Sequence, residues 1–177
     1  QFLMKPKVDF CFKELMEDEE VRNAFLAAVL GINPKEINES KILPSHLRQK
    51  DKDDKLGILN FIMFDDEEYY SRFHFWSDKG RKLYSDKFEI HTLELPKLAK
   101  HDYPETELLK WLQFINAETE EEFEMAAEKS EYIKKAYEDL NRISADEEKR
   151  LEYEERERAI RDHQYFSTVY KLSLIHI

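Results

Sequence analysis

At 177 residues, with 41% hydrophobic and 38% charged residues, the chain is long enough for one domain with a real core and too polar for a membrane-inserted or collagen-like protein. A net charge of −11 argues against broad adhesion to nucleic acid through counterion release, and no run of about eighteen apolar residues supports a membrane-spanning helix. The single cysteine, Cys11, excludes an internal disulfide and points to a reducing, cytoplasmic setting.

Gln1-Phe2-Leu3 lacks the charged and apolar regions of a secretory signal and is expected to be translated from upstream of a natural start at Met4. After Pro6, the residues Val8, Phe12, Leu15 and Met16 recur at helical spacing and predict a short helix with a core-facing side. Cys11, between Phe10 and Phe12, reads as packing rather than as a nucleophile. Val21 to Leu30 predicts a second helix, stopped by Gly31, with Asn33 and Pro34 opening a turn or a new cap. Ile37 to Leu47 reads as irregular or edge structure because of Pro44. Gln49 to Lys55 reads as a solvated connection. Its alternate acids Asp51, Asp53 and Asp54 are the sharper candidates for a cation, but the glycine and distal glutamate of a calcium loop are missing.

Leu56 to Phe64 is nearly all apolar and predicts a strand buried on both faces. Asp65-Asp66-Glu67-Glu68 then reads as a solvated turn. Tyr69 to Trp76 alternates, with Phe73 and Phe75 on one face and Arg72, His74 and Trp76 on the other, and Ser77-Asp78-Lys79-Gly80 marks a hairpin-like turn. Phe88 to Leu95 is a third strand in which His91 has no second ligand at metal-binding spacing.

From Pro104 the period becomes helical. Leu108, Leu109, Trp111, Leu112 and Ile115 predict one apolar helix, and Ile133, Ala136, Tyr137 and Leu140 line another after Ser130. Thr119 with Glu122 and Ser144 with Glu147 fit capping boxes. Asp146 to about Tyr165 predicts a highly charged last helix. Glu118 to Arg158 holds sixteen acids and eight bases, so most of the net negative charge sits in these helices.

Three segments carry a family resemblance. Met4-Lys5-Pro6-Lys7-Val8-Asp9-Phe10-Cys11-Phe12-Lys13-Glu14-Leu15-Met16 resembles the opening of the Rpn recombination-promoting nucleases and transposases of the PD-(D/E)XK superfamily. Asn60-Phe61-Ile62-Met63-Phe64, Asp86 to Leu98 and Leu109 to Ala117 resemble later parts of the same family, in the same order. The resemblance implies an α+β fold with a restriction-endonuclease-like mixed sheet, DNA as the partner of intact members and Mg²⁺ as their cofactor.

It also implies a gap. In the family, a run like Asp54-Lys55-Leu56-Gly57-Ile58-Leu59 ends in a strand aspartate, and an E-x-Q or E-x-K tripeptide follows on the next strand. Here Asn60 stands at the aspartate's position and no such tripeptide follows on the next strand. An asparagine supplies one neutral oxygen where a divalent ion needs hard anionic ligands. The expectation is an internally deleted, inactive copy with about three strands left, joined at Gly57-Ile58-Leu59-Asn60 by recombination or by a sequence-assembly collapse. Asp54 and Glu14 are the nearest surviving acids by motif position. Residues 4–98 are then the nuclease remnant, 104–166 a helical region, and Leu172 to Ile177 an adapter-derived tail foreign to the protein. The competing expectations are a non-catalytic interaction module, self-associating or binding a protein through its acidic helices, and DNA binding without cleavage. The acidic balance disfavours the last.

Overall fold

The first helix, α1 (Asp9–Met16), starts three residues after Pro6 and buries Phe10, Cys11, Leu15 and Met16. The computed structural model describes residues 2–40, 55–59, 61–85 and 89–175, with 55–57 and 163–175 by backbone alone. Val8 and Phe12, expected on the core face, are half-buried against the core. The buried surface of α1 is wider than one stripe because α2 (Glu19–Leu30) packs on one side and two C-terminal helices on the other.

Helix α2 starts at Asp18, whose carboxylate accepts from the amides of Glu20 at 2.9 Å and Val21 at 3.0 Å. It ends as expected at Gly31, where φ is 69°, a left-handed conformation in which a side chain is strained. Asn33 then caps a 3-10 turn, Pro34–Glu36, through a reciprocal box with Glu36.

Among the described residues the sheet has three strands, β1 (Lys55–Leu59), β2 (Tyr70–His74) and β3 (Glu89–Glu94), in the order β1-β3-β2. β1 runs parallel to β3 with Leu59 beside Glu94; β2 runs antiparallel with Phe73 beside Ile90. The expected strand over 56–64 is therefore corrected in two ways. It ends at Leu59 and lies at an edge, and β3 is the central strand. Phe61, Ile62 and Met63 are exposed because the chain turns there, with the amides of Met63 and Phe64 directed to the Glu94 carboxylate instead of continuing the ladder.

The C-terminal half is helical: α3 (Glu107–Asn116), α4 (Glu120–Ala127), α5 (Glu131–Ala145) and α6 (Glu147–Ile175). Thr119 and Glu122 form the expected capping box. Ser144 does not. It is the penultimate residue of α5, buried, and its hydroxyl accepts from the Met4 amide at 3.0 Å, while Asp146 caps α6 by accepting from Lys149 N–H. Helix α6 runs past the expected end near Tyr165, since no glycine or proline interrupts residues 146–175.

The core joins both ends of the chain. Phe25 of α2 meets Trp111 of α3 edge-on at 5.7 Å, and Trp111, Phe114 and Phe123 continue the aromatic chain into α4. The sheet enters this core through Leu93, with half-buried Ile58, Tyr69 and Tyr70 beside it. The result is an α+β fold with a small mixed sheet and a helical C-terminal half. Among the described residues, no helix is long and apolar enough to cross a membrane.

Candidate functional site

Strand β3 ends in Glu94, and the next turn, Leu95–Lys97, is a 3-10 turn held by Pro96. This brings Glu94 and Lys97 to the sheet end where β1 also finishes, and both side chains are 1% exposed. Lys97 Nζ donates to Glu94 Oε2 at 3.0 Å, to Asp66 Oδ1 at 2.7 Å and to the Glu68 carbonyl at 3.0 Å, so its three protons all have acceptors. Glu94 Oε1 accepts from Met63 N–H at 2.6 Å and Phe64 N–H at 3.2 Å. The Tyr103 hydroxyl closes the far side on the Glu67 carbonyl.

Electrostatics follow this geometry. Burial alone would raise the Glu94 carboxyl, but the Met63 amide, the Lys97 ammonium and the Phe64 amide hold it below its ordinary value. Burial alone would lower Lys97, and the Asp66 and Glu94 carboxylates outweigh it and hold the ammonium above its ordinary value. A buried ion pair is tolerated when its remaining hydrogen-bonding capacity is filled, and here it is. The cluster anchors the 61–68 loop across the sheet end.

At the other end of β3, Glu89 sits between two histidines. His74 Nε2 lies 2.7 Å from Glu89 Oε1, His91 Nε2 lies 3.2 Å from Glu89 Oε2, and the Tyr70 hydroxyl meets His91 Nδ1 at 3.0 Å. Burial and the Glu89 charge raise the Tyr70 phenol, against an opposing pull from Arg72. His91 is thus a buried strand-face residue, hydrogen-bonded to the Tyr70 phenol with the Glu89 carboxylate 3.2 Å from its other nitrogen.

Of the sequence-derived candidates, Glu14 lies among the described residues. Glu14 lies on α1 and pairs with Lys149 of α6. Asp54 and Asn60, like Asp51 and Asp53, lie outside the described residues. The acids at 65–68 form a turn, as expected, but Asp66 has the added role of binding Lys97. The Glu94–Lys97 pair was missed. Its only local signal was an acid and a base three residues apart across Leu95-Pro96, which ordinarily marks an exposed pair.

A divalent ion does not fit the described residues. No group of three or more His, Cys, Asp or Glu among them could hold a metal. Glu94, the buried carboxylate closest in register to the end of β1, has both oxygens taken by nitrogen donors.

Comparison with known proteins gives one match. The model of a family described as PD-(D/E)XK nuclease family transposase matches residues 56–168, from β1 into α6. Searches of the curated proteins and of the solved structures returned no match. The matched stretch contains all of the sheet except Lys55, the Glu94–Lys97 cluster and helices α3 to α5, well over half of the sequence. The chain accordingly belongs to the PD-(D/E)XK nuclease family of transposases.

Proposed function

We propose that this chain is a non-cleaving member of a family whose intact members are metal-dependent enzymes acting on DNA. The observation that carries the reading is the state of Glu94. In the region matched to the family it is the buried carboxylate of the central strand, and Lys97 and two main-chain amides occupy both its oxygens. Asn60 at the position of the family aspartate supports the same reading, as does the lack of an E-x-Q or E-x-K tripeptide on the following strand. The junction at Gly57-Ile58-Leu59-Asn60 is then an internal deletion, residues 4–98 the remnant of the nuclease unit and 104–166 its helical companion. Mg²⁺ is the cofactor of intact relatives, and productive binding here would need acids from outside this chain.

The test is plasmid nicking in Mg²⁺ or Mn²⁺ against the same reaction in chelator. No metal-dependent nicking is expected. Metal-dependent nicking that tracks the protein through purification would overturn the reading. Sequencing of the source DNA across codons 50 to 70 separates a true deletion from an assembly error: an inserted segment restoring an aspartate after Ile-Leu would make the natural protein a nuclease candidate.

A second reading, a protein-interaction module, is favoured by α6. Across residues 147–162 only Tyr153 is buried, while Leu151 and Ile160 are 57% and 47% exposed. A pull-down that depends on residues 147–162 would support it, and a cytoplasmic location fits the lone buried Cys11.

A further inference from the structure

The strongest unassigned surface is the ribbon that extends β2 beyond the sheet. Past His74 the chain continues to Phe75 and Trp76, turns through residues 77–81 and returns antiparallel. Trp76 bridges Leu83, Tyr84 N–H donates to the Phe75 carbonyl at 2.8 Å, and Ser77 N–H donates to the Lys82 carbonyl at 2.9 Å. Arg81 closes the turn at φ 46°, and Lys82 N–H donates to Ser77 Oγ at 3.1 Å. These bonds make the tip a defined hairpin.

Its side chains run against the two general rules for this molecule. Large aromatics are exposed, Phe75 by 47%, Trp76 by 56% and Tyr84 by 76%, whereas Phe25, Trp111, Phe114 and Phe123 build the core. Register places Phe75 across from Tyr84 on one face and Trp76 with Leu83 on the other, so both faces of the ribbon present rings or apolar surface. In a chain of net charge −11, residues 70–85 hold four basic residues and one acid. Lys79, Arg81 and Lys82 stand at the tip and form no ion pair among the described residues. The acids at 65–68 precede β2, at the opposite end of the ribbon, about 30 Å along an extended strand from Ser77.

We infer that this ribbon binds single-stranded nucleic acid, with Trp76, Tyr84 and Phe75 stacking on unpaired bases and Lys79, Arg81 and Lys82 neutralising the phosphates between them. Exposed rings reach base faces only where bases are unstacked, so the surface prefers a single strand to a duplex. Three cations on the backbone predict a modest, salt-sensitive affinity. The acidic balance of the whole chain does not oppose this, because screening at physiological salt confines each charge's influence to about 8 Å. The inference goes beyond the loss of cleavage and does not depend on it.

The experiment is a titration of the full chain with fluorescein-labelled oligo(dT), oligo(rU) and a duplex of equal length, all in chelator so that cleavage cannot intrude. Anisotropy of the label reports binding. Tryptophan emission reports contact, since the chain has two tryptophans and Trp111 is buried while Trp76 is exposed. Binding to either single strand over the duplex is expected, with quenching of the exposed tryptophan and a log-log salt slope of about −2 for three phosphates. Trp76→Ala and Tyr84→Ala should each weaken binding by about 5- to 150-fold. Lys79→Glu with Lys82→Glu should abolish it. Unchanged Trp111 emission and far-ultraviolet dichroism show that the variants are folded. Equal affinity for duplex, indifference to the ring variants, or a change in sedimentation without any change in oligonucleotide binding would each overturn the inference, the last by making the ribbon a self-association surface.

Discussion

The main-chain N–H of Met4 donates to the buried hydroxyl of Ser144 at 3.0 Å, across 140 residues of sequence. One residue on, Lys5 N–H donates to the Tyr153 hydroxyl at 3.2 Å. Two successive amides of the N-terminal segment thus find their acceptors on α5 and α6. Ser144→Ala leaves the Met4 amide buried without a partner and should cost about 1–3 kcal/mol, whereas Ser144→Thr, which keeps the hydroxyl, should cost less. Urea denaturation followed by circular dichroism measures the difference.

Phe25 is fully buried and joins the N-terminal helices to the C-terminal ones, edge-on to Phe12 at 5.4 Å and to Trp111 at 5.7 Å. Phe25→Ala should destabilise the fold by about 3–5 kcal/mol. A chain trimmed to residues 56–168 removes α1 and α2 together and should leave Trp111 in contact with water. Its emission should then shift to the red of the full-length protein; an unshifted spectrum would mean that the matched region folds without its N-terminal helices.

Lys97 pairs with both Glu94 and Asp66 at the sheet end. Lys97→Met strands the buried Glu94 carboxylate and should lower the thermal midpoint and open the 61–68 loop to protease. The paired change Lys97→Met with Glu94→Leu removes both charges, and its midpoint should lie above that of Lys97→Met alone. A double variant no more stable than the single one would show that the loop depends on the Met63 and Phe64 amides finding an acceptor.

The acid limb of stability follows from Glu94 and Asp18. Both carboxyls are held below their ordinary values despite burial, Glu94 chiefly by the Met63 amide and Lys97, Asp18 chiefly by the Val21 amide and Lys135. A group lowered in the folded state contributes fully above its unfolded value, near pH 4.5 for Glu94, and its contribution is lost as the pH falls through the folded value. Stability should therefore decline below about pH 4.5. Glu94→Gln should be less stable at pH 7 and should show a flatter acid limb. Lys97 and Lys135, raised in the folded state, contribute below their ordinary 10.5 and lose that contribution as alkali carries the pH through the higher folded value.

Much of the fold was legible where a local rule and the tertiary structure agree. Gly31 stops α2 because that residue type adopts the left-handed cap without strain, and Thr119 with Glu122 caps α4 through partners that are all local in sequence. Reading failed where a distant group took over a local one. Ser144 looks like a cap and is instead claimed by Met4; Phe61 to Phe64 looks like a strand and is turned outward by the carboxylate of Glu94. The candidate site was less legible still. Glu14 resolves into a surface pairing with Lys149, and Glu94–Lys97 becomes significant only once the sheet and the 61–68 loop bury it. Total charge likewise concealed the basic ribbon, since a sum over the chain carries no information about position.

Cys11 gives the molecule an internal clock. Its thiol is fully buried on α1, and burial together with the nearby Glu14 charge pushes it well above the ordinary thiol range. A thiol reagent therefore meets no thiolate until the packing between α1 and its neighbours comes apart. With only one cysteine in the chain, every labelling event counts a single opening of the same region. The labelling rate in native buffer, divided by that of the unfolded chain, reads out the fraction of time that α1 stands apart from the helices packed on it.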